Sequence, residues 1–361
     1  MNSKAFLLPA ALMIAGNSVA NSKGKKTDKR PNILVILADD LGYSDLGCYG
    51  SEIHTPNLDK LAQQGVRFNH FYNASRSCPP RASLLTGLYQ HQAGIGRMTF
   101  DDNLPGYRGT LSRNAVTIAE VLKESGYTTS MIGKWHVAET PLRKDQREWL
   151  AHHVYHDTYS DLCHYPVNRG FDSHYGTIYG VVDYFDPFSL VEGEVPVKEV
   201  PEGYYITQAL SDRAAEEVTE YAKDDKPFFM YLAYTAPHWP LHALPEDIEK
   251  YKDTYKVGWE AIRNARYERQ KQLGIFPGMD DFLSERQFKD RWEDNAHAEW
   301  DARAMAVHAA MIDRMDQGIG QVIDALEKTG QLDNTLILFL SDNGCSNENC
   351  QNYSPGENDR P

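Results

Sequence analysis

The sequence predicts an α/β protein built on a mostly parallel sheet with helices on both faces. Four runs of apolar and β-branched residues support this prediction, because each suits a strand buried on both faces and helical segments separate them. The runs cover residues 32–38, 128–132, 228–234 and 335–340. Polar residues follow each run directly. Since ligands of such sheets bind at the carboxyl ends of the strands, the four ends together predict one site.

The length and net charge of the chain limit its domain organisation and its partners. The chain has 361 residues and a formal net charge of −14. This length can bury a large core, either as one big α/β domain or as two smaller ones. The negative charge gives no general attraction to a polyanion, so no nucleic-acid partner is expected. An anionic substrate would need a local basic pocket.

The first twenty residues have the pattern of a secretory signal peptide. Lys4 precedes an apolar run over residues 5–15, and residues 18–20 (Ser-Val-Ala) form a small-residue cleavage site. That run is too short to span a membrane, and no later stretch approaches the required length. Asn21, rather than a cysteine, follows the cut, so no lipoprotein is predicted. We expect an exported protein whose residues 21–30 are a disordered lead-in.

The five cysteines leave at least one thiol unpaired, because their number is odd. Cys345 and Cys350 are close enough in the chain to pair, so a disulfide between them stays open. Their spacing does not match a zinc knuckle, and no zinc site is predicted.

Two adjacent acids, Asp39 and Asp40, follow the first apolar run. Carboxylates at the end of a buried strand are costly unless a positive group holds them. A hard divalent cation is a natural partner for such oxygens. A solvated acidic loop is the alternative interpretation. The next predicted helix, which starts near Thr55 and ends at Gly65, is interpreted as structural.

The run Ser77-Cys78-Pro79-Pro80-Arg81 opens another predicted helix. Proline is tolerated in the first turn of a helix, and serine is favoured at the N-cap. The free N–H groups and the dipole at a helix start attract an anion, and Arg81 lies on the same helix face as Ser77. Sulfuryl or phosphoryl transfer needs such groups. Taken alone, the run fits an ordinary capped helix with a surface arginine better.

The other strand ends carry groups suited to acid–base work. Lys134 and His136 follow the second run, where strand alternation predicts that both point the same way and Trp135 the opposite way. A lysine can bind an anionic oxygen and a histidine can transfer a proton. His238 follows the third run in a proline-stiffened turn, where packing alone would account for it. Asp342-Asn343 follows the fourth run.

Further helices are predicted between these motifs, over residues 115–124, 211–222 and 297–328. The last of these is either one long helix or two helices joined near Gly318 and Gly320. Residues 142–203 show little periodicity, and no chemistry is assigned to their histidines. Residues 250–294 are highly charged and are interpreted as helical surface insertions.

The motifs together resemble those of the type I sulfatases. That signature is Cys or Ser, any residue, Pro, any residue, Arg, and then Thr-Gly after a short apolar stretch, which here starts at Ser77 and ends at Gly87. If the signature started at Cys78, Arg81 would come one residue before the position that the signature requires. One residue corresponds to a rotation of about 100° around the helix. The run Gly133-Lys134-Trp135-His136 and the segment around residues 168–176 are also similar to family motifs. The resemblance covers roughly residues 30–344.

This resemblance implies an alkaline-phosphatase-like fold and hydrolysis of aryl or, more naturally, carbohydrate sulfate esters. It implies that a maturation enzyme oxidises Ser77 to formylglycine, whose hydrate is the nucleophile. It also implies one divalent cation, Ca²⁺ or alternatively Mg²⁺, which suits an oxygen donor set. The implied ligands of this ion are Asp39, Asp40, the modified residue 77, Asp342 and Asn343.

The resemblance further implies a role for each remaining group. His238 donates a proton to the leaving alcohol, and His136 deprotonates the second hydroxyl of the hydrate to expel sulfate. Arg81 and Lys134 hold the hydrate and neutralise the sulfuryl oxygens. The serine-type signature indicates an anaerobic bacterium, because the family's serine-oxidising maturase is a radical enzyme, and the product would be periplasmic or secreted.

Two alternatives stay open. One is a phosphomonoesterase or phosphodiesterase of the same superfamily that uses unmodified Ser77; it ranks second because its two-zinc members need extra histidines and typically have one at the place of Asn343. The other is an inactive sulfate-binding remnant. Neither the second sulfate-binding lysine of the family nor its C-terminal subdomain can be located. Residues 31–361 are therefore interpreted as a C-terminally incomplete catalytic domain, which we expect to be poorly active and to expose apolar surface.

Overall fold

A seven-stranded sheet forms the centre of the computed structural model, which describes residues 30–139, 158–277, 283 and 291–346. The predicted signal peptide, the lead-in up to residue 29 and Cys350 lie outside these ranges. No helix among the described residues is long and apolar enough to cross a membrane.

The strands are, in chain order, β1 (Asn32–Ala38), β2 (Thr128–Gly133), β3 (Ser173–Thr177), β4 (Leu190–Glu192), β5 (Val195–Pro196), β6 (Phe228–Ala233) and β7 (Thr335–Ser341). Their order across the sheet is β5-β4-β3-β2-β6-β1-β7. The five strands from β3 to β7 in this order pair in parallel, and β4 and β5 are added antiparallel. The prediction of a mostly parallel sheet is confirmed.

The helices are α1 (Pro56–Gln64), α2 (Cys78–Thr86), α3 (Ile118–Glu124), α4 (Ile206–Tyr221), α5 (Pro245–Glu249), α6 (Trp259–Gln272) and α7 (Ala298–Lys328). Leu34 and Ile36 of β1 pack in the core cluster that contains residues of α1, α4 and α7. Val35 and Leu37 pack in the cluster that contains residues of α2 and α3. Because alternate residues of a strand face opposite sides, one buried strand supplies both cores, and helices cover both faces.

Two predicted helices have different starts in the structure. The first begins at Ile118 rather than at residue 115, because Thr117 and Glu120 form a capping box: the Glu120 N–H donates to the Thr117 hydroxyl, and the Thr117 N–H donates to the Glu120 carboxylate. The other, α4, begins at Ile206, five residues earlier than predicted. Strands β3 to β5, which lie within the segment judged aperiodic, were not predicted.

The prediction that the last strand is buried on both faces is wrong. β7 is an edge strand, hydrogen-bonded to β1 alone in the described sheet, and Leu336 and Leu338 are 50% and 44% exposed. An edge strand and a central strand can both contain an apolar run of six residues. The sequence of the run therefore does not distinguish the two positions.

Gly133 ends β2 in a conformation that only glycine adopts easily. Its φ is +106°, and a Cβ atom there would overlap the carbonyl oxygen of Ala233 on the neighbouring β6. The close approach lets the chain turn directly after the strand, so that Lys134 and His136 leave the sheet next to the end of β6.

Candidate active site

Four neighbouring parallel strands, β7, β1, β6 and β2, bring their carboxyl ends to one edge of the sheet. The predicted site residues follow these ends and meet there with the start of α2. Contacts among them bring together sheet ends that lie far apart in the chain.

Arg81 is the central cation of this cluster. Its side chain is fully buried, and its Nε and Nη2 atoms lie 2.9 and 2.8 Å from Asp342 Oδ2. Its Nη2 also lies 3.2 Å from Asp39 Oδ1, and its Nη1 donates to the carbonyl oxygen of Lys134 at 3.0 Å. The Lys134 ammonium, also fully buried, pairs with Asp39 Oδ2. The buried carboxylates of Asp39 and Asp342 are thus paired with buried cations, as buried ions require.

Ser77 lies at the N-cap position of α2, as predicted, but its side chain makes no capping hydrogen bond. Its Oγ instead lies 3.0 Å from Nδ1 of His136. Its N–H donates to Oδ1 of Asn343 at 2.5 Å. The hydroxyl group is therefore held by the site rather than by the helix.

Cys78, the alternative start of the signature, lies in the apolar core. Its side chain is fully buried, and its sulfur is 3.8 Å from that of Met98. Burial raises the pKa of the Cys78 thiol to about 12, so the thiol stays protonated. The structure places Ser77, and not Cys78, against His136.

His136 is a neutral imidazole at ordinary pH. Burial lowers its pKa well below the usual value, and the charges of Lys134 and Arg81 lower it further. A side chain at Gly180 would overlap the His136 ring, so the absence of one leaves room for the imidazole. Gly180 lies in the segment judged aperiodic, where no local pattern signals this contact.

His238 is placed by the turn after β6. Its Nε2 lies 3.5 Å from Asp40 Oδ2, and its Nδ1 lies 2.5 Å from the carbonyl oxygen of Trp239, to which Nδ1–H donates. Its carbonyl oxygen, like that of Thr235, lies within hydrogen-bonding distance of the buried Tyr184 hydroxyl. Tyr184 was not predicted as a site residue.

The predicted cation ligands lie close together, and their oxygen atoms suit a hard divalent ion. Candidate ligand atoms of Asp39, Asp40 and His238 lie within 4.8 Å of one another. Asp342 and Asn343 join this group through Asp40, whose N–H donates to Asp342 Oδ1 at 3.2 Å and whose carboxylate accepts from the Asn343 amide. Burial, and then the negative charge of Asp39, raise the pKa of Asp342. The cluster holds three carboxylates (Asp39, Asp40 and Asp342) but two cationic side chains (Arg81 and Lys134). A bound divalent ion would offset the excess negative charge.

Comparison with known proteins agrees with this geometry. The profile described as Sulfatase matches residues 31–360. An arylsulfatase of Klebsiella aerogenes is 34% identical over 353 residues, which cover 96% of this chain and 72% of that protein. An uncharacterized sulfatase of Schizosaccharomyces pombe is 35% identical over 342 residues, 88% of this chain and 58% of that protein.

A solved structure, that of Ps i-CgsB in complex with k-i-k-neocarrahexaose, matches with a TM-score of 0.60 and 32% identity. The match covers 88% of this chain and 59% of the solved one, so the chain spans about three fifths of that relative and of the yeast protein. The likeness confirms the expected alkaline-phosphatase-like fold. On the profile match and on these identities, the chain belongs to the sulfatase family.

Proposed function

We propose that this protein hydrolyses sulfate esters. The observation that supports the proposal most is the contact of Ser77 Oγ with Nδ1 of His136 at 3.0 Å, at a helix start beside the buried cations Arg81 and Lys134. A hydroxyl group next to a neutral imidazole and a positive environment suits attack on an anionic ester. Membership of the sulfatase family makes sulfate the first choice of ester.

Ser77 is the residue that we propose a maturation enzyme oxidises. After oxidation, position 77 supplies a hydrated aldehyde, which offers one hydroxyl to the sulfur and a second through which sulfate is expelled. A plain serine has no second hydroxyl and cannot complete that last step. The burial of Cys78 and its raised pKa favour Ser77 as the modified position.

Asp39, Asp40, Asp342 and Asn343, with residue 77, would hold a divalent cation, which we propose is Ca²⁺, with Mg²⁺ as the second choice. When bound there, the ion would polarise the sulfate group and lower the pKa of the attacking hydroxyl group. Arg81 keeps the carboxylates of Asp39 and Asp342 turned to this place, and Lys134 does the same for Asp39.

The two histidines would move the protons. His136 is neutral, so its Nδ1 can accept a proton from residue 77. His238 Nε2, which faces Asp40 at 3.5 Å, is placed to carry a proton to the leaving alcohol. The hydrogen bond from Nδ1–H to the Trp239 carbonyl fixes the ring so that Nε2 is the atom that exchanges the proton.

The natural substrate that we propose is a carbohydrate sulfate, since the relative Ps i-CgsB is described in complex with k-i-k-neocarrahexaose. Small aryl sulfates serve as assay compounds. We also propose export, based on the pattern of residues 1–20. Sequencing the N-terminus of the secreted or periplasmic product would check it, and an uncleaved Met1 would contradict it.

The test compares 4-nitrophenyl sulfate with 4-nitrophenyl phosphate, using protein coproduced with a serine-type maturation enzyme and supplied with Ca²⁺. We expect turnover of the sulfate ester, an oxidised residue 77 in the mass spectrum of its peptide, no turnover by Ser77→Ala, and near-normal turnover by Cys78→Ala. Unmodified Ser77 in a sulfatase-active preparation would refute the mechanism. Turnover of the phosphate ester alone would establish the phosphatase alternative, and turnover of neither would favour the sulfate-binding remnant.

A further inference from the structure

An open cavity of about 450 Å³ lies in the segment that follows β3, outside the cluster of acids and cations described above. This volume falls within the usual range for small-molecule sites, roughly 300–1,000 Å³. Its lining combines two aromatic rings and three carboxylates with small and apolar residues. The aromatic and acidic members are Phe185, Asp186, Glu199, Glu202 and Tyr204.

Contacts tie this cavity to the turn that carries His238. The ring of Phe185 lies 5.6 Å from that of His242, four residues after His238, with 33° between the ring planes. Asp183 Oδ2 lies 3.4 Å from His242 Nδ1. Tyr184, next to Phe185, reaches the His238 carbonyl with its hydroxyl. The cavity therefore lies beside the turn that carries His238 and His242.

The cavity wall is held in shape before any ligand arrives. Asp183 Oδ1 accepts hydrogen bonds from the N–H groups of Phe185 and Asp186, at 2.7 and 3.0 Å. The Tyr205 hydroxyl donates to the His242 carbonyl at 2.9 Å, which joins the two segments again. Phe185 keeps 40% of its surface exposed in this arrangement. A fixed, exposed ring binds a ligand at low entropic cost.

The chemistry of the lining selects a class of ligand. Ring faces pack against the C–H surface of a sugar, and the carboxylates of Glu199 and Glu202 accept hydrogen bonds from its hydroxyl groups. No lysine or arginine is among the described residues that line the cavity. A second sulfate placed there would meet only negative charge, and like charges at close range repel.

We propose that this cavity binds the leaving-group side of the substrate, and that the group is a sugar unit carrying no second sulfate. The inference rests on the proposed function for the position of the scissile sulfate. It adds the substrate class: a singly sulfated sugar is accepted, and a disulfated one is rejected by the acidic lining.

Binding in Ser77→Ala protein tests this inference without turnover. The probes are N-acetylglucosamine 6-sulfate and its 3,6-disulfate, titrated calorimetrically in the presence of Ca²⁺. We expect the monosulfate to bind more tightly. In this background Phe185→Ala should weaken monosulfate binding about tenfold, from the loss of one aromatic contact. Phe185→Leu, which keeps apolar bulk, should weaken it less. Phe68→Ala, at an exposed phenylalanine outside the cavity lining, is the matched control and should change nothing.

The charge argument has its own variant. Glu199→Gln with Glu202→Gln keeps hydrogen-bond acceptors and removes both charges, so affinity for the disulfate should rise about fivefold at low salt and less at high salt. Glu216→Gln, on the exposed side of α4, is the control and should leave the affinity for the disulfate unchanged.

Equal affinity of the two sugars for the Ser77→Ala protein would overturn the inference, as would monosulfate binding indifferent to Phe185→Ala in a folded variant. If 4-nitrophenyl sulfate is turned over while neither sugar binds, the cavity inference fails and the proposed function stands. If no sulfate ester is turned over but the sugars bind as expected, the proposed function fails alone.

Discussion

The hydroxyl group of Tyr184 lies 2.8 Å from the carbonyl oxygen of His238 and 2.7 Å from that of Thr235. Tyr184 is buried, and burial raises its pKa well above the usual value, so the phenol stays protonated and acts as the donor to both carbonyls. One side chain therefore fixes both ends of the turn that presents the imidazole of His238.

Removing this hydroxyl group should displace His238 without emptying the core. For Tyr184→Phe we expect kcat to fall about tenfold with KM nearly unchanged. The free energy of unfolding should fall by about 1–3 kcal/mol, because the carbonyls of Thr235 and His238 lose their donor. The basic limb of the pH–rate profile should also move, which a merely structural role would not cause. Tyr127→Phe, which removes a hydroxyl that donates to the Pro31 carbonyl, is the matched control. An unchanged kcat and pH profile in Tyr184→Phe would contradict the positioning role.

Arg81→Met should lower the free energy of unfolding more than a substitution at an exposed ion pair does. It leaves the carboxylates of Asp39 and Asp342 without the guanidinium between them, and an uncompensated buried charge costs about 3–5 kcal/mol. Chemical denaturation measures the loss, and turnover should vanish. Arg97→Met, at a half-exposed ion pair with Asp102, should cost less than about 1 kcal/mol.

A double variant checks that the cost of Arg81→Met comes from stranded charge. Adding Asp342→Asn to Arg81→Met should recover part of the lost stability, since it removes the carboxylate that lost its guanidinium partner, while Asp39 keeps Lys134. Strictly additive losses for the two substitutions would show that the pair is not coupled.

Chelation should destabilise the protein and abolish sulfate-ester turnover. If Asp39, Asp40 and their neighbours hold a divalent ion, saturating Ca²⁺ adds about 2.7 kcal/mol at one hundred times its dissociation constant. Thermal unfolding with EDTA and with added Ca²⁺ measures the difference. Asp40→Asn should lose this response, while Asp253→Asn, on the exposed surface, should keep it. A melting temperature indifferent to both reagents would argue against the cation site.

His174 should make the protein sensitive to acid. Burial lowers the pKa of this imidazole from 6.5 to about 4, so the unfolded chain takes up a proton below pH 6.5 while the folded chain does not. The stability is complete above pH 6.5 and falls as the pH drops towards 4, by about 3 kcal/mol for this group.

His174→Gln removes the titration, so the stability of the wild-type protein relative to this variant should decline between pH 6.5 and 4 and stay constant above. Denaturant midpoints measured across that range check the slope. His70→Gln, at an exposed histidine, should follow the wild-type curve. Parallel curves for His174→Gln and the wild-type protein would contradict the prediction.

Local pattern was enough to predict which polar residues gather at the ends of the strands. Asp39, Lys134, His238 and Asp342 each follow an apolar run, and a parallel sheet gathers such ends whatever the order of its strands. The helix start at Ser77 was readable for the same reason, since proline and serine mark helix starts locally. What the pattern of Ser77 did not reveal is that its hydroxyl turns to His136 instead of capping the helix.

Other features depend on contacts between distant parts of the chain. Tyr184 touches the His238 turn across more than fifty residues, and nothing in the sequence around Tyr184 marks that contact. The exposure of Leu336 and Leu338 follows from the edge position of β7, which strand composition does not encode. The cavity beside Phe185 is lined by residues within the segment judged aperiodic and at its end, where local pattern carries no signal of a cavity.

The sequence by itself determined the parallel α/β class, the acids, cations and histidines of the site, and the family to which they point. Only the tertiary structure decided how Arg81 and Lys134 share the buried carboxylates, which residues hold His238, and where the cavity beside Phe185 lies. The physical reason is how far apart in the sequence the interacting residues lie. Strand and helix signals come from neighbours within a few residues, whereas burial, ion pairing and cavity shape come from groups that the fold brings together from across the chain.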